Sequence, residues 1–171
     1  AMALFPGWQA PDFVTDTTTG PIRFHAWSQG CWRIVLTHPG DYSLPSLQTA
    51  LHRARTELSD LRLLGLSPLP VPDHDHMAVD MLVMTDMADL TTIHDDAGHI
   101  RAMWQGVAVD TGPTGAPEDE HAVFIVGPDH MIRSTISYPP ASGLRDFEEV
   151  IRIVRELDDA RSRLEPARYA A

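Results

Sequence analysis

Thiol and amine chemistry are almost absent from this chain. Its 171 residues include one cysteine, Cys31, so an internal disulfide is excluded. All 13 basic residues are arginine. Without lysine the protein has neither a Schiff-base residue nor an amine base of lowered pKa.

Positive charge and long apolar runs are scarce as well. The formal net charge of -11 leaves no positive face of the kind that nucleic acid or an anionic membrane requires. No apolar run reaches the roughly 18 residues of a membrane span, and no signal-peptide pattern is present, so we expect a cytoplasmic protein. An apolar content of 43% is enough to bury one core without disulfides or metal.

Apolar periodicity predicts a single domain in which strands alternate with helices. Short β-branched or apolar runs predict strands at 32–36, 61–66, 81–84, 122–126 and 132–137. Helical spacing predicts helices at 47–58, 94–107 and 147–157. We expect the domain to cover residues 4–160, followed by a tail at 161–171. Residues 1–3, Ala-Met-Ala, are expected to be a cloning remnant.

The most informative segment runs from Thr37 to Ser46. It contains Pro39, Ser43 and Ser46 at the spacing of a known active-site motif: proline, three residues, threonine, two residues, cysteine. That motif belongs to the peroxiredoxins. Six fragments resemble the family in the same order along the chain, at 5–13, 17–25, 31–39, 123–129, 136–139 and 143–147. The chain therefore resembles the one-cysteine branch of the AhpC/TSA antioxidant family.

This resemblance implies a fold and an assembly. The fold would be a thioredoxin-like α/β fold of the peroxiredoxin type, with a mixed central sheet flanked by helices. Residues 5–13 would form an opening strand and 17–25 a first hairpin. Relatives of this type are dimeric, so we expect a homodimer, and we expect neither a cofactor nor a bound metal.

Two positions depart from the family pattern. Ser46 stands at the position of the peroxidatic cysteine, and His121 stands where the family has an arginine. A hydroxyl cannot be oxidised and reduced again as a thiolate can. Because catalytic groups that act as a unit lose their value together, the double change favours natural loss of peroxidase activity. The alternative is a working peroxide reductase carrying an engineered Cys-to-Ser substitution.

The former peroxide pocket is the predicted site. We expect it to bind or convert a small organic molecule without a cofactor, as a step in specialised metabolism, with His121 as acid or base and Ser46 and Tyr42 as catalytic hydrogen-bonding groups. The predicted substrate-binding residues are Pro39, Asp41, Ser43 and His38. Structural roles are the simpler interpretation: Ser46 would cap a helix starting at Leu47, and His121 would face solvent. A non-catalytic dimeric binding or regulatory partner is the second functional hypothesis.

Three further clusters allow weaker hypotheses. A lipase-like set found in some one-cysteine peroxiredoxins falls on Cys31, His25 and Asp129, a combination suited to acyl transfer, although Cys31 is more simply a small core residue. The segment 72–76, Pro-Asp-His-Asp-His, supplies too few ligands for a metal ion and is expected to be an exposed loop. A methionine-rich set is expected in the core: Met81, Met84, Met87, Met103 and Trp104.

Overall fold

A mixed β-sheet forms the centre of the protein. The computed structural model describes residues 6–17, 20–38, 41–58, 61–67, 90–94, 100, 103–104, 121–139 and 145–169. Within these residues the strands are β1 Val14–Thr17, β2 Gly20–Arg23, β3 Trp32–Leu36, β4 Leu61–Ser67, β5 Leu90–His94, β6 His121–Val126 and β7 Ile132–Tyr138. The helices are α1 Phe24–Trp27, α2 Leu44–Glu57 and α3 Glu148–Tyr169.

The strand order across the sheet is β2-β1-β5-β4-β3-β6-β7. Strands β3, β4 and β5 run parallel, and β6 and β7 continue the sheet in antiparallel fashion beside β3. Helix α2 connects β3 to β4, as a parallel pair requires. The described part of the chain therefore has the predicted mixed sheet.

Two apolar layers cover the two faces of the sheet. All five residues of β3 are buried, and their side chains alternate between the layers. Ile34 and Leu36 pack beneath α2 and α3, whereas Val35 packs with Phe24 and Trp104 on the other face. Burial on both faces explains why every residue of β3 except Arg33 is apolar.

Helix α2 begins three residues earlier than predicted. Its N-cap is Ser43, whose backbone is extended and whose Oγ accepts a hydrogen bond from the Ser46 backbone N–H at 3.2 Å. Pro45 lies in the first turn, where its missing N–H would have had no intrahelical partner. The expectation that Ser46 caps a helix starting at Leu47 is therefore wrong.

Most other predicted elements are confirmed. The strands at 32–36, 61–66, 122–126 and 132–137, the hairpin at 17–25 and the helices at 47–58 and 147–157 are present, and α3 continues to Tyr169, into the expected tail. None of the described helices is long and apolar enough to cross a membrane.

Three predictions on local structure are wrong. Residues 6–13 make a single bridge, between Gln9 and Met131, instead of a strand, because two prolines interrupt the segment. His94 ends β5 and does not begin the predicted helix at 94–107, although Ile100, Met103 and Trp104 within that span are helical. Met103 is 45% exposed and therefore not a core residue, whereas Trp104 is fully buried as predicted. Residues 72–76, 81–84 and Met87 lie outside the described part of the chain.

The hairpin of β6 and β7 contains one irregularity. Val126 pairs with Ile132, whereas Ile125 pairs with Ser134, so the register skips Arg133. Such a bulge turns the following side chains to the opposite face of the sheet. Ile132 accordingly packs in one apolar layer and Tyr138 in the other.

Candidate functional site

The carboxylate of Asp41 lies between two donors at one end of the sheet. Its Oδ2 is 2.5 Å from Nδ1 of His121 and accepts a hydrogen bond of 2.8 Å from the hydroxyl of Tyr138. His121 begins β6, Tyr138 ends β7, and the two residues are paired across the strands. The hairpin therefore delivers both donors to the same oxygen.

The ring of His121 is held on two sides. The imidazole of His38 stacks on it with centroids 3.4 Å apart and planes 10° apart, and Tyr138 presents an edge at 5.7 Å. Nδ1 of His38 lies 2.8 Å from Oγ1 of Thr37, which also accepts from the Ala122 backbone N–H at 2.9 Å. We call His38, Asp41, His121 and Tyr138 the Asp41 cluster.

The Asp41 cluster contains the phenol of Tyr138 and adjoins a second phenol, that of Tyr42, and the guanidinium of Arg145. Burial and the hydrogen bond to Asp41 raise the pKa of Tyr138, so its hydroxyl stays protonated and donates. Burial also raises the pKa of Tyr42, despite a hydrogen bond with Arg145. The Arg145 guanidinium lies 4.0 Å from the Tyr138 ring centroid, and its backbone N–H donates to the Asp41 carbonyl. Positive charge is therefore present beside the cluster.

Ser46 is engaged elsewhere. Its hydroxyl donates to Oδ1 of Asp146 at 3.0 Å and accepts from the Phe147 backbone N–H at 2.8 Å, so it joins the first turn of α2 to the start of α3. Hydrogen bonds from the Glu148 backbone and from Ser46 lower the pKa of Asp146. Ser46 thus faces a carboxylate. It is one of six residues that line an open depression of about 330 Å³: Pro45, Ser46, Thr49, Arg53, Asp146 and Glu148.

Two other residues of the predicted pocket, Tyr42 and Ser43, contribute to core packing and to helix capping. Tyr42 is buried, and its ring packs at 5.2 Å from Phe147 in the layer beneath α2 and α3. Ser43 is the N-cap described above, and Pro39 lies outside the described residues. The structure brings together His38, Asp41 and His121 from the predicted set and adds Tyr138 and Arg145. Both additions lie within the fragments 136–139 and 143–147 that resemble the family.

The residues of the acyl-transfer hypothesis have other partners. Sγ of Cys31, which is half-buried, donates to the Gln29 carbonyl at 3.8 Å. Nε2 of His25 lies 2.7 Å from the Ala10 carbonyl oxygen, and Asp129 forms an ion pair with Arg133. These hydrogen bonds do not link Cys31, His25 and Asp129 into a relay.

A buried arginine, Arg33, is linked to His25 through His130. Arg33 is fully buried in β3, donates to the Ser28 carbonyl at 2.8 Å and lies 2.8 Å from Nδ1 of His130 through Nη2. His130 stacks on His25 with centroids 4.2 Å apart. Burial, followed by the charges of Arg33 and His25, lowers the pKa of His130. Since a guanidinium can only donate, Nδ1 of His130 accepts, which favours the neutral ring.

No family model matches the chain, but individual proteins do. Peroxiredoxin-6 of Mus musculus is 33% identical over 166 residues, which are 90% of this chain and 73% of that protein. The chain belongs to the peroxiredoxin family. Peroxiredoxin-6 of Gallus gallus is 32% identical over 165 residues, again covering 90% of this chain and 73% of the relative.

Solved peroxiredoxin structures confirm the fold. A cysteine-to-serine mutant of the peroxiredoxin 6 of Arenicola marina superposes with a TM-score of 0.68 at 25% identity, covering 91% of this chain and 74% of that one. The yeast mitochondrial 1-Cys peroxiredoxin gives a TM-score of 0.67 at 22% identity, with coverages of 93% and 78%. The thioredoxin-like α/β fold is confirmed. The chain of 171 residues, however, has Cys31 as its only cysteine, directly before β3, and carries a serine hydroxyl at position 46.

Proposed function

We propose that this peroxiredoxin family member does not reduce peroxides through a thiolate and instead binds or converts a small organic molecule at the Asp41 cluster. The observation that carries the proposal is the 2.5 Å contact between Nδ1 of His121 and Oδ2 of Asp41. A carboxylate that accepts from one imidazole nitrogen orients the ring and leaves the other nitrogen available for proton transfer. The expected chemistry is a cofactor-free rearrangement, cyclisation, elimination or hydrolysis, which suits specialised metabolism.

The proton transfer itself involves His121 and two supporting groups. With its Nδ1 proton donated to Asp41, His121 takes a substrate proton on Nε2, and the carboxylate stabilises the imidazolium that forms. Tyr138 donates to the same carboxylate oxygen, which holds Asp41 in position. The side chains of His121 and Asp41 are 15% and 24% exposed, so the pair is shielded and still reachable by a small molecule.

The absence of thiol peroxidase activity is supported by the surroundings of position 46. A thiolate placed there would face the Asp146 carboxylate, which raises a thiol pKa, and Arg53 on the same depression is paired with Glu148. We therefore predict that Ser46→Cys does not restore peroxide reduction, because the thiol stays largely protonated.

The measurement is hydrogen peroxide consumption with dithiothreitol as the reductant, after circular dichroism has shown that the variant is folded. The wild-type protein is the reference, and Cys31→Ala combined with Ser46→Cys removes any contribution of the native thiol. Rapid consumption by Ser46→Cys would contradict the proposal and favour a peroxide reductase that carries an engineered serine.

The acid/base role predicts that the protein accelerates a simple proton abstraction. The probe is 5-nitrobenzisoxazole, whose ring opening requires only a base, assayed in the presence of a metal chelator. His121→Gln should lower the protein-dependent rate by about 100-fold, the usual effect of losing a general base.

The matched control is His52→Gln, because His52 is an exposed histidine on α2 and is not a member of the cluster. Its rate should equal that of the wild type. Equal rates for His121→Gln and His52→Gln, or a wild-type rate no higher than that of buffer, would refute acid/base catalysis by His121.

A second candidate function is a non-catalytic dimeric partner in binding or regulation. It is favoured by the internal bonds that engage Tyr42, Ser43 and Ser46, residues expected to face a ligand. This hypothesis predicts a stable homodimer in analytical ultracentrifugation together with no probe turnover. Turnover that depends on His121 would exclude it.

A further inference from the structure

His38, Asp41 and His121 bring three metal-ligating atoms within 4.8 Å of one another. Two imidazoles and one carboxylate are a donor set that borderline divalent ions such as Zn²⁺ prefer. The three residues come from two separate parts of the chain: His38 and Asp41 follow β3, and His121 begins β6. We propose that they form a binding site for a divalent transition-metal ion, best represented by Zn²⁺.

The ligands are supported by a surrounding layer of hydrogen bonds. Oγ1 of Thr37 lies 2.8 Å from Nδ1 of His38, and Tyr138 donates to Asp41 at 2.8 Å. Partners of this kind orient metal-bound histidines and carboxylates and set which ring nitrogen is free.

Hydrogen bonds and strand pairing also hold the backbone segments that carry the three ligands. The Thr37 backbone N–H donates to the Ala122 carbonyl, and Ala122 donates back to the Thr37 hydroxyl, so the end of β3 is tied to the start of β6. His121 is also held by its strand pairing with Tyr138. The Asp41 backbone carbonyl is bonded by Arg145.

Binding requires a limited rearrangement. Ligand atoms around a tetrahedral Zn²⁺ lie about 3.3 Å apart, given bonds of about 2.0–2.1 Å. The 2.5 Å separation of the Asp41 and His121 atoms must therefore widen by somewhat less than an ångström, as the ion replaces the shared proton. Imidazole lone pairs lie in the ring plane, so the stacked rings of His38 and His121 must tilt apart. Three protein ligands leave one position of the ion for water or substrate.

The first experiment measures binding to the 171-residue protein after removal of metals with a chelator. Zn²⁺ is titrated in competition with the dye zincon, and we expect one tight equivalent. His121→Gln and Asp41→Asn should each weaken this equivalent by more than about 100-fold, and Tyr138→Phe by about 10-fold, as loss of a supporting hydrogen bond does.

Two controls locate the ion. His52→Gln removes an exposed histidine of α2, and the double variant His74→Ala, His76→Ala removes the histidines of segment 72–76. Both should bind Zn²⁺ like the wild type. Loss of binding in the double variant with retention in His121→Gln would overturn the proposal, as would the absence of a tight equivalent in the wild type.

A second measurement needs no variant and so does not depend on whether the variants fold. X-ray absorption of the Zn²⁺-loaded wild-type protein should show two imidazoles among light-atom ligands. Zero or one imidazole would overturn the site. This inference goes beyond the proposed acid/base function, which is assayed with chelator present, so each proposal can fail while the other stands.

Discussion

At the scale of single residues, His130 is the clearest reporter of protonation. Arg33, Asp129 and the stacked ring of His25 surround it, together with the charge of Asp12. Burial, the charge of Arg33 and the electrostatic effect of His25 lower the pKa of His130 from its usual 6.5, and the carboxylates of Asp12 and Asp129 oppose this shift only in part. The folded protein therefore holds this ring neutral where the unfolded chain has begun to protonate it.

We predict that the folded state loses stability as the pH falls below about 6.5. At such a pH the unfolded chain binds a proton at His130 more readily than the folded protein does, because folding lowers the pKa of this residue. Urea unfolding midpoints at pH 8, 6.5 and 5 measure the effect. His130→Asn should flatten the decline, since asparagine tolerates the positive φ of 68° at this position and can accept from Arg33. Identical pH dependence in the two proteins would show that His130 does not contribute.

At the scale of helices and strands, two serines in one turn have different tasks. Ser43 caps α2, and Ser46 bonds to Asp146 and Phe147 at the start of α3. We predict that Ser43→Ala lowers the free energy of unfolding by about 1 kcal/mol through loss of the cap. Ser46→Ala should cost about 1–3 kcal/mol, because the Phe147 backbone N–H loses its side-chain acceptor.

Urea denaturation measures both serine variants. Ser43→Gly serves as the control for Ser43→Ala, because glycine at an N-cap costs only a few tenths of a kcal/mol. A neutral Ser43→Ala together with a costly Ser46→Ala would be the result expected if Ser46 were the cap, and would contradict the structure.

Elements whose pattern is local could be predicted from the sequence. The β3 run and the apolar stripes of α2 and α3 each carry their own signal. The start of α2 could not be placed, because Ser43 and Ser46 are both good caps and only the fold decides between them. The opening segment looked like a strand by resemblance, yet its prolines leave one bridge.

The site was predictable as a group of residues but not as a geometry. Asp41 is identified from the motif and His121 from the position where the family has an arginine, whereas their contact depends on the pairing of β3 with β6. Continuing the Val126–Ile132 pairing without irregularity would place Ser137 opposite His121. The bulge places Tyr138 opposite His121 instead, and no local sequence pattern predicts the bulge.

At the scale of the whole molecule, the sheet separates two apolar layers. Ile151 of α3 is fully buried in the layer beneath the two long helices, and Ile132 of β7 is fully buried in the layer on the opposite face. We predict that Ile151→Val and Ile132→Val each cost about 0.5–1.5 kcal/mol. Their effects should add in the double variant to within about 0.5 kcal/mol, because the two sites share no partners.

Urea unfolding of the two single variants and the double variant tests this independence. A coupling energy well above about 0.5 kcal/mol would mean that the layers communicate through the sheet. A change at Ile132 would then affect the Asp41 cluster on the opposite face, because Tyr138 of the cluster lies in the same layer as Ile151.

The extra residue Arg133 in the hairpin of β6 and β7 determines which insertions and deletions the hairpin tolerates. Arg133 occupies the extra position between the Val126–Ile132 and Ile125–Ser134 pairs, so removing it would leave a regular ladder with every partner from His121 to Tyr138 unchanged. Homologues one residue shorter at this point are accordingly expected to keep the same pairings. An insertion or deletion elsewhere in β6 or β7 would turn His121 or Tyr138 to the wrong face and dismantle the cluster.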